Sequence, residues 1–135
     1  GLRMNSIALV CGSFHKREVE EMILHAESEA AECDLEITDV VWVPGSMEAP
    51  LATARLLENE RIAGVACLGI IEKGQTSHGL AMGQAVIKSL VELQIGYDKP
   101  VGLGIIGPGA EPEHIESRLE PHARAAIKAI QAMIG

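Results

Sequence analysis

Four strand-like apolar runs alternate with four segments of helical period along this chain, and that alternation restricts its fold more than any other feature. Ser6–Cys11 is short and apolar. Arg17–Cys33 places Val19, Met22, Ile23, Ala26, Ala30 and Cys33 on one helical face. Glu36–Val43 is rich in β-branched residues, and Pro44-Gly45 ends it. Pro50 suits the first turn of a helix running to Glu58. Gly64–Ile71 reads as a third strand. Thr76–Ile95 reads as a long helix with Leu80, Gln84, Ile87, Val91 and Ile95 on one stripe. Pro100–Ile106 is a fourth strand with proline at its tolerated first position. Gly107-Pro108-Gly109 reads as a turn. Pro112 then opens a last helix striped by Ile115, Leu119, Ala123, Ala126, Ile130 and Met133. Pro121 lies inside it, which predicts a kink or a split near Ser117–Arg118.

Strictly alternating strands and helices give the α/β class: a three-layer α/β/α sandwich around a four-stranded, mostly parallel sheet. The strands are continuously apolar, as strands covered on both faces should be. With 135 residues and no linker, repeat or low-complexity segment, residues 1–135 read as one domain. Apolar residues make up 47% of the chain but aromatics only 2%, so the core is aliphatic and rich in alanine.

Charge and cysteine content narrow the function. The net charge is −8 and the isoelectric point about 5.0, with no basic stripe or tail, so nucleic acid is not an expected partner. The acidic residues from Glu18 to Glu32 read as a solvated helix face. No apolar run approaches the ~20 residues that span a bilayer, and the N-terminal residues do not resemble a signal peptide. Cys11, Cys33 and Cys67 form no CxxC pair and no zinc spacing, and the histidines show none either. Cys11 and Cys67 read as small core residues, and the sparse, odd count fits a reducing cytoplasm. No metal site is expected.

In a parallel sheet, ligands bind beyond the carboxyl ends of the strands. That rule selects the segments Gly12–Lys16, Pro44–Ala49, Glu72–His78 and Gly107–Glu111. The first carries Phe14, the only phenylalanine, which is either a stacking platform for a flat ring or a lid on the core. In the second, Ser46 and Met47 offer backbone groups. Glu48 either accepts hydrogen bonds from a polyol or caps the next helix, and on residue chemistry alone the cap is favoured. In the third, the backbone N–H groups of Gln75 and Thr76 could grip a phosphate at a helix N-terminus. His78, in the first turn, is a proton carrier or an ordinary exposed residue. This loop is neither a Walker A loop nor a GxGxxG turn. Arg118, with Arg124 about two turns on, is a phosphate ligand or a surface cation paired with Glu113 or Glu120.

The residues resemble the lumazine synthases, most of all the archaeal form, over nearly the whole chain. One family motif stands as Val43-Pro44-Gly45-Ser46-Met47-Glu48-Ala49-Pro50-Leu51-Ala52. A second runs from Gly69 to His78, with Gly74, Thr76 and His78 in place. Tyr97-Asp98-Lys99-Pro100-Val101, Leu103-Gly104-Ile105 and Gly107-Pro108-Gly109 follow the archaeal pattern. The resemblance implies a flavodoxin-like sheet and, without cofactor or metal, condensation of 5-amino-6-(D-ribitylamino)uracil with 3,4-dihydroxy-2-butanone 4-phosphate. It implies that Phe14 stacks on the pyrimidine and that Ser46, Met47 and Glu48 hold the ribityl chain. Ile70 and Ile71 would line the uracil pocket. Gln75, Thr76 and Arg118 would bind phosphate, with Arg124 a further candidate, and His78 would shuttle protons. Leu103 would approach from the adjacent subunit, since family sites lie between neighbours in a homopentameric ring; some members stack pentamers into a hollow shell. Departures from the pattern are Gly79-Leu80 after His78, Ser117 before Arg118, and Glu72 in the pocket-side strand. Two rival readings are a riboflavin synthase paralogue of archaeal type and a binding or shell-forming protein without turnover.

Overall fold

The structure, a computed structural model, describes residues 4–72 and 77–134. Strand β1 (Asn5–Gly12) lies in the middle of the sheet, with helix α1 (Lys16–Glu32) after it. Strand β2 (Leu35–Val43), a 3₁₀ turn (Ser46–Glu48) and helix α2 (Ala49–Leu57) follow. Then come β3 (Ile62–Glu72), α3 (His78–Tyr97), β4 (Val101–Ala110) and α4 (Pro112–Met133). The strand order is β2-β1-β3-β4, and every pairing is parallel. The expected α/β/α layering is therefore present. Helices α1 and α4 cover one face through Val19, Met22, Ala26, Leu119, Ala123 and Ile127. Helices α2 and α3 cover the other through Leu57, Val86 and Leu90. Cys11 and Cys67 are buried, one in each core. Among the described residues no helix is long and apolar enough to cross a membrane.

Four details depart from the sequence reading. First, Gly107-Pro108-Gly109 is not a turn that ends β4. Ile70 pairs with Ile106 and Glu72 with Ala110, so Ile71 alone of β3 faces three residues of β4. The strand bulges and resumes, which Gly107 and Gly109 permit because both adopt positive φ, at 98° and 89°. Second, Pro121 does not split α4. Its ring lies on the solvent face, and the buried stripe Ile115, Leu119, Ala123, Ala126, Ile127 and Ile130 runs past it unbroken. Met133 falls off that stripe and is 70% exposed. Third, the α3 stripe of Leu80, Val91 and Ile95 faces outward, and the helix buries Gly83, Val86 and Leu90 instead. Fourth, the acidic face of α1 is not wholly solvated. Glu29 is only 5% exposed and points toward α4.

Candidate active site

The loop after β1 is drawn to the end of β2. The backbone N–H and the hydroxyl of Ser13 both donate to the Val43 carbonyl, at 2.8 and 2.9 Å. That fixes the exit of the chain and leaves Phe14 outside both cores, with 60% of its surface exposed. It is not a core lid. It forms one side of a cleft of about 320 Å³ at the carboxyl ends of the strands. The turn from Pro44 to Glu48, with Ile70 and Met82, completes the lining. The volume lies at the small end of the range for ligand pockets, roughly 300–1,000 Å³.

Glu48 occupies the N-cap position of α2, but its side chain makes no capping hydrogen bond. Its backbone is helical, at φ −93° and ψ −7°, not extended as a capping residue requires. The favoured cap reading is therefore corrected: the carboxylate is exposed at the cleft. Met82, which the sequence reading missed, lies one turn beyond His78 on the same side of α3. That i, i+4 spacing was the available signal. The bulge helps set this helix: a Cβ added at Gly83 would lie 2.6 Å from Pro108 Cβ, so glycine lets α3 rest on the proline.

The structure thus brings Phe14, Ser46, Met47, Glu48 and Ile70 around one cleft. Ile71 turns away into the α2–α3 core, because adjacent strand residues point to opposite faces. Leu103 lies mid-strand in β4, partly buried against the same core. His78 is the first residue of α3, where the helix end favours anions. Gln75 and Thr76 lie outside the described residues. Arg118 is exposed on the second turn of α4 and pairs with neither Glu113 nor Glu120. Glu120 is held instead by Arg124, whose Nε lies 2.8 Å from Glu120 Oε2.

Arg124 also reaches Glu29 at 3.2 Å and Ser28 Oγ at 3.4 Å, so it fastens α4 to α1. The Arg124 hydrogen bond, with His25 nearby, holds the Glu120 carboxyl below its ordinary range. A depressed carboxylate contributes stability at neutral pH that is lost as the pH falls through its folded value. Arg124→Ala should therefore lower the unfolding midpoint by several degrees at pH 7, because Glu29 is left buried without its cation. Thermal scans at decreasing pH should show that deficit shrinking.

Neither core cysteine can supply a thiolate at neutral pH. Burial, reinforced by Cys67, pushes the Cys11 thiol up to about 12, and burial pushes Cys67 to about 11.

Comparison with known proteins matches these elements. The family model described as 6,7-dimethyl-8-ribityllumazine synthase matches residues 5–135. The chain belongs to the 6,7-dimethyl-8-ribityllumazine synthase family. A relative of that name from Staphylothermus marinus is 41% identical over 131 residues, spanning 97% of this chain and 87% of the relative. One from Halobacterium salinarum is 35% identical, spanning 94% of this chain and 96% of its own. One from Saccharolobus solfataricus is 35% identical, spanning 91% and 80%. The lumazine synthase match runs through β1 to α4, so every segment of the cleft lies inside it.

Proposed function

We propose that this chain condenses 5-amino-6-(D-ribitylamino)uracil with 3,4-dihydroxy-2-butanone 4-phosphate in riboflavin biosynthesis. The product is 6,7-dimethyl-8-ribityllumazine, with water and inorganic phosphate released. The observation that carries the reading is the cleft: within a lumazine synthase chain it joins an exposed aromatic ring to the Ser46–Glu48 turn. Phe14 stacks on the pyrimidine. The backbone at Ser46 and Met47, with the Glu48 carboxylate, takes the ribityl hydroxyls. Ile70 shapes the uracil pocket. Gln75 and Thr76, with Arg118, bind the phosphate.

The 5-amino group attacks the ketone, and loss of water gives an imine. Phosphate then leaves, and ring closure with loss of a second water completes the product. Each step moves a proton, and His78 carries it. Much of the acceleration comes from holding two reactants together, and Arg118 offsets charge on the leaving phosphate. No cofactor or metal enters this scheme.

Arg118 and Leu103 lie apart from the cleft lining of their own protomer, which supports a site shared between subunits of a homopentamer. The outward stripe of α3, with Ile95 74% exposed, supports the same assembly. Three unpaired cysteines support a reducing, cytoplasmic location. The riboflavin synthase paralogue is less well supported: it has no phosphate substrate for Arg118 to bind, and the three relatives above carry the lumazine synthase name. The test is to mix purified protein with the two substrates and follow lumazine absorbance and fluorescence. Product should accumulate only with both substrates present. Ligand binding without product would leave a binder, and riboflavin formed from lumazine alone would favour the paralogue.

A further inference from the structure

We propose that a contact between Glu72 and His15 positions the Phe14 ring over the cleft. The inference rests on the reading of that cleft as the ribitylaminouracil site. It starts from the loop that carries the ring. β1 has two neighbours in the sheet, β2 and β3, and the loop after it is fastened to both. On one side Ser13 donates twice to the Val43 carbonyl at the end of β2. On the other, His15 Nε2 lies 2.8 Å from Glu72 Oε1 at the end of β3. Phe14 is the single residue between these two attachments. Its ring meets the His15 ring edge-on, with centroids 4.8 Å apart and planes at 83°.

His15 is held in an unusual state. Its backbone is left-handed, at φ 59° and ψ 49°, a conformation that is strained for a non-glycine residue. It starts α1 without capping it through its side chain. Nε2 is buried and makes no well-directed hydrogen bond, so what it has at Glu72 is a close polar contact off the hydrogen-bond line. A histidine that merely began a surface helix would turn this nitrogen to water.

Glu72 is equally out of place. It is the only charged residue of β3, at the end of an otherwise apolar strand. Its backbone is fixed opposite Ala110 beyond the β4 bulge. The carboxylate is therefore presented from the sheet, and it reaches across to the loop. Phe14 has no core packing to select a rotamer, so the edge contact from a braced His15 supplies the constraint. A ring ordered before binding spares the substrate the cost of ordering it. Glu72 and His15 are thus positioning residues that act through Phe14.

Phe14 is the only phenylalanine in the chain, so fluorophenylalanine labelling gives one fluorine resonance that reports on this ring. Glu72→Gln, which keeps the side-chain shape, and His15→Ala should each shift and broaden it. An unchanged resonance in both variants would overturn the proposal. Calorimetry with ribitylaminouracil supplies the second arm. Glu72→Gln should weaken affinity roughly 3- to 10-fold, the effect of leaving one side chain to be ordered on binding. In a Phe14→Ala background the same substitution should have no further effect, and an undiminished loss there would also overturn it. If the wild-type protein binds no ribitylaminouracil, the functional reading fails, while the fluorine resonance still decides whether the pair holds the ring.

Discussion

Arg118→Ala is expected to raise KM for the butanone phosphate about 10- to 100-fold, the usual loss when a charged hydrogen-bond partner is removed from an anion. KM for ribitylaminouracil should change by less than about 2-fold, because the guanidinium is proposed to touch only the phosphate. Arg118→Lys should recover part of the loss, since an ammonium keeps the charge but not the two-pronged geometry. The prediction follows from the way α4 sorts its two arginines. Arg124 is engaged by Glu120 and Glu29, whereas Arg118 has no ion pair among the described residues. Steady-state kinetics with each substrate varied in turn separates the constants, and equal effects on both would count against the role. A site shared between subunits, as proposed, would add a second readout. Arg118→Ala and Phe14→Ala subunits, each impaired alone, should regain activity when assembled together, because a pocket can then draw both intact residues from different chains.

The sorting of Arg118 from Arg124 also shows where sequence reasoning stops. The periodicities that located α1 and α4 were local, and both helices lie where those periodicities place them. The pairing that occupies Arg124 is not local: Glu29 lies on α1, and only the packing of α1 against α4 buries it. A run of acidic residues therefore hid one that faces inward. The same limit explains α3. Its sequence carries apolar residues on two sides, and a helical repeat alone does not say which side meets the sheet. Gly107-Pro108-Gly109 has turn chemistry at every position, and only the renewed pairing of Ala110 with Glu72 makes it a bulge. The cleft was more legible, because Phe14, Ser46, Met47 and Glu48 follow strand ends, and the alternation of elements fixes where strand ends gather; Ile70, inside β3, came only from the family resemblance. Ile71 slipped from that set because it neighbours Ile70 in sequence but faces the other side of the sheet.

The β4–α4 contact makes the sharpest claim about stability. Gly102→Ala is expected to destabilise the protein by at least about 3 kcal/mol, beyond the usual range for overpacking a core. A Cβ there would overlap the Ala126 carbonyl oxygen and lie 2.8 and 3.0 Å from the carbon and Cα of the same residue. These are backbone atoms, so no side-chain rotation relieves the overlap. Helix α4 would have to lift from the sheet, drawing Leu119, Ala123, Ile127 and Ile130 out of the core they fill. For a domain whose total stability is roughly 5–15 kcal/mol, that is enough to lose much of the folded population. The same substitution at Gly96 provides the contrast. Gly96 lies near the end of α3, where an added Cβ would meet nothing within 4 Å. There alanine should stabilise by about 0.5–1 kcal/mol, through helix propensity and a less flexible unfolded chain. Urea unfolding at matched protein concentration should move the two midpoints in opposite directions. A Gly102→Ala protein with an unchanged midpoint would mean that α4 does not lie against β4 as closely as its alanines and glycines allow.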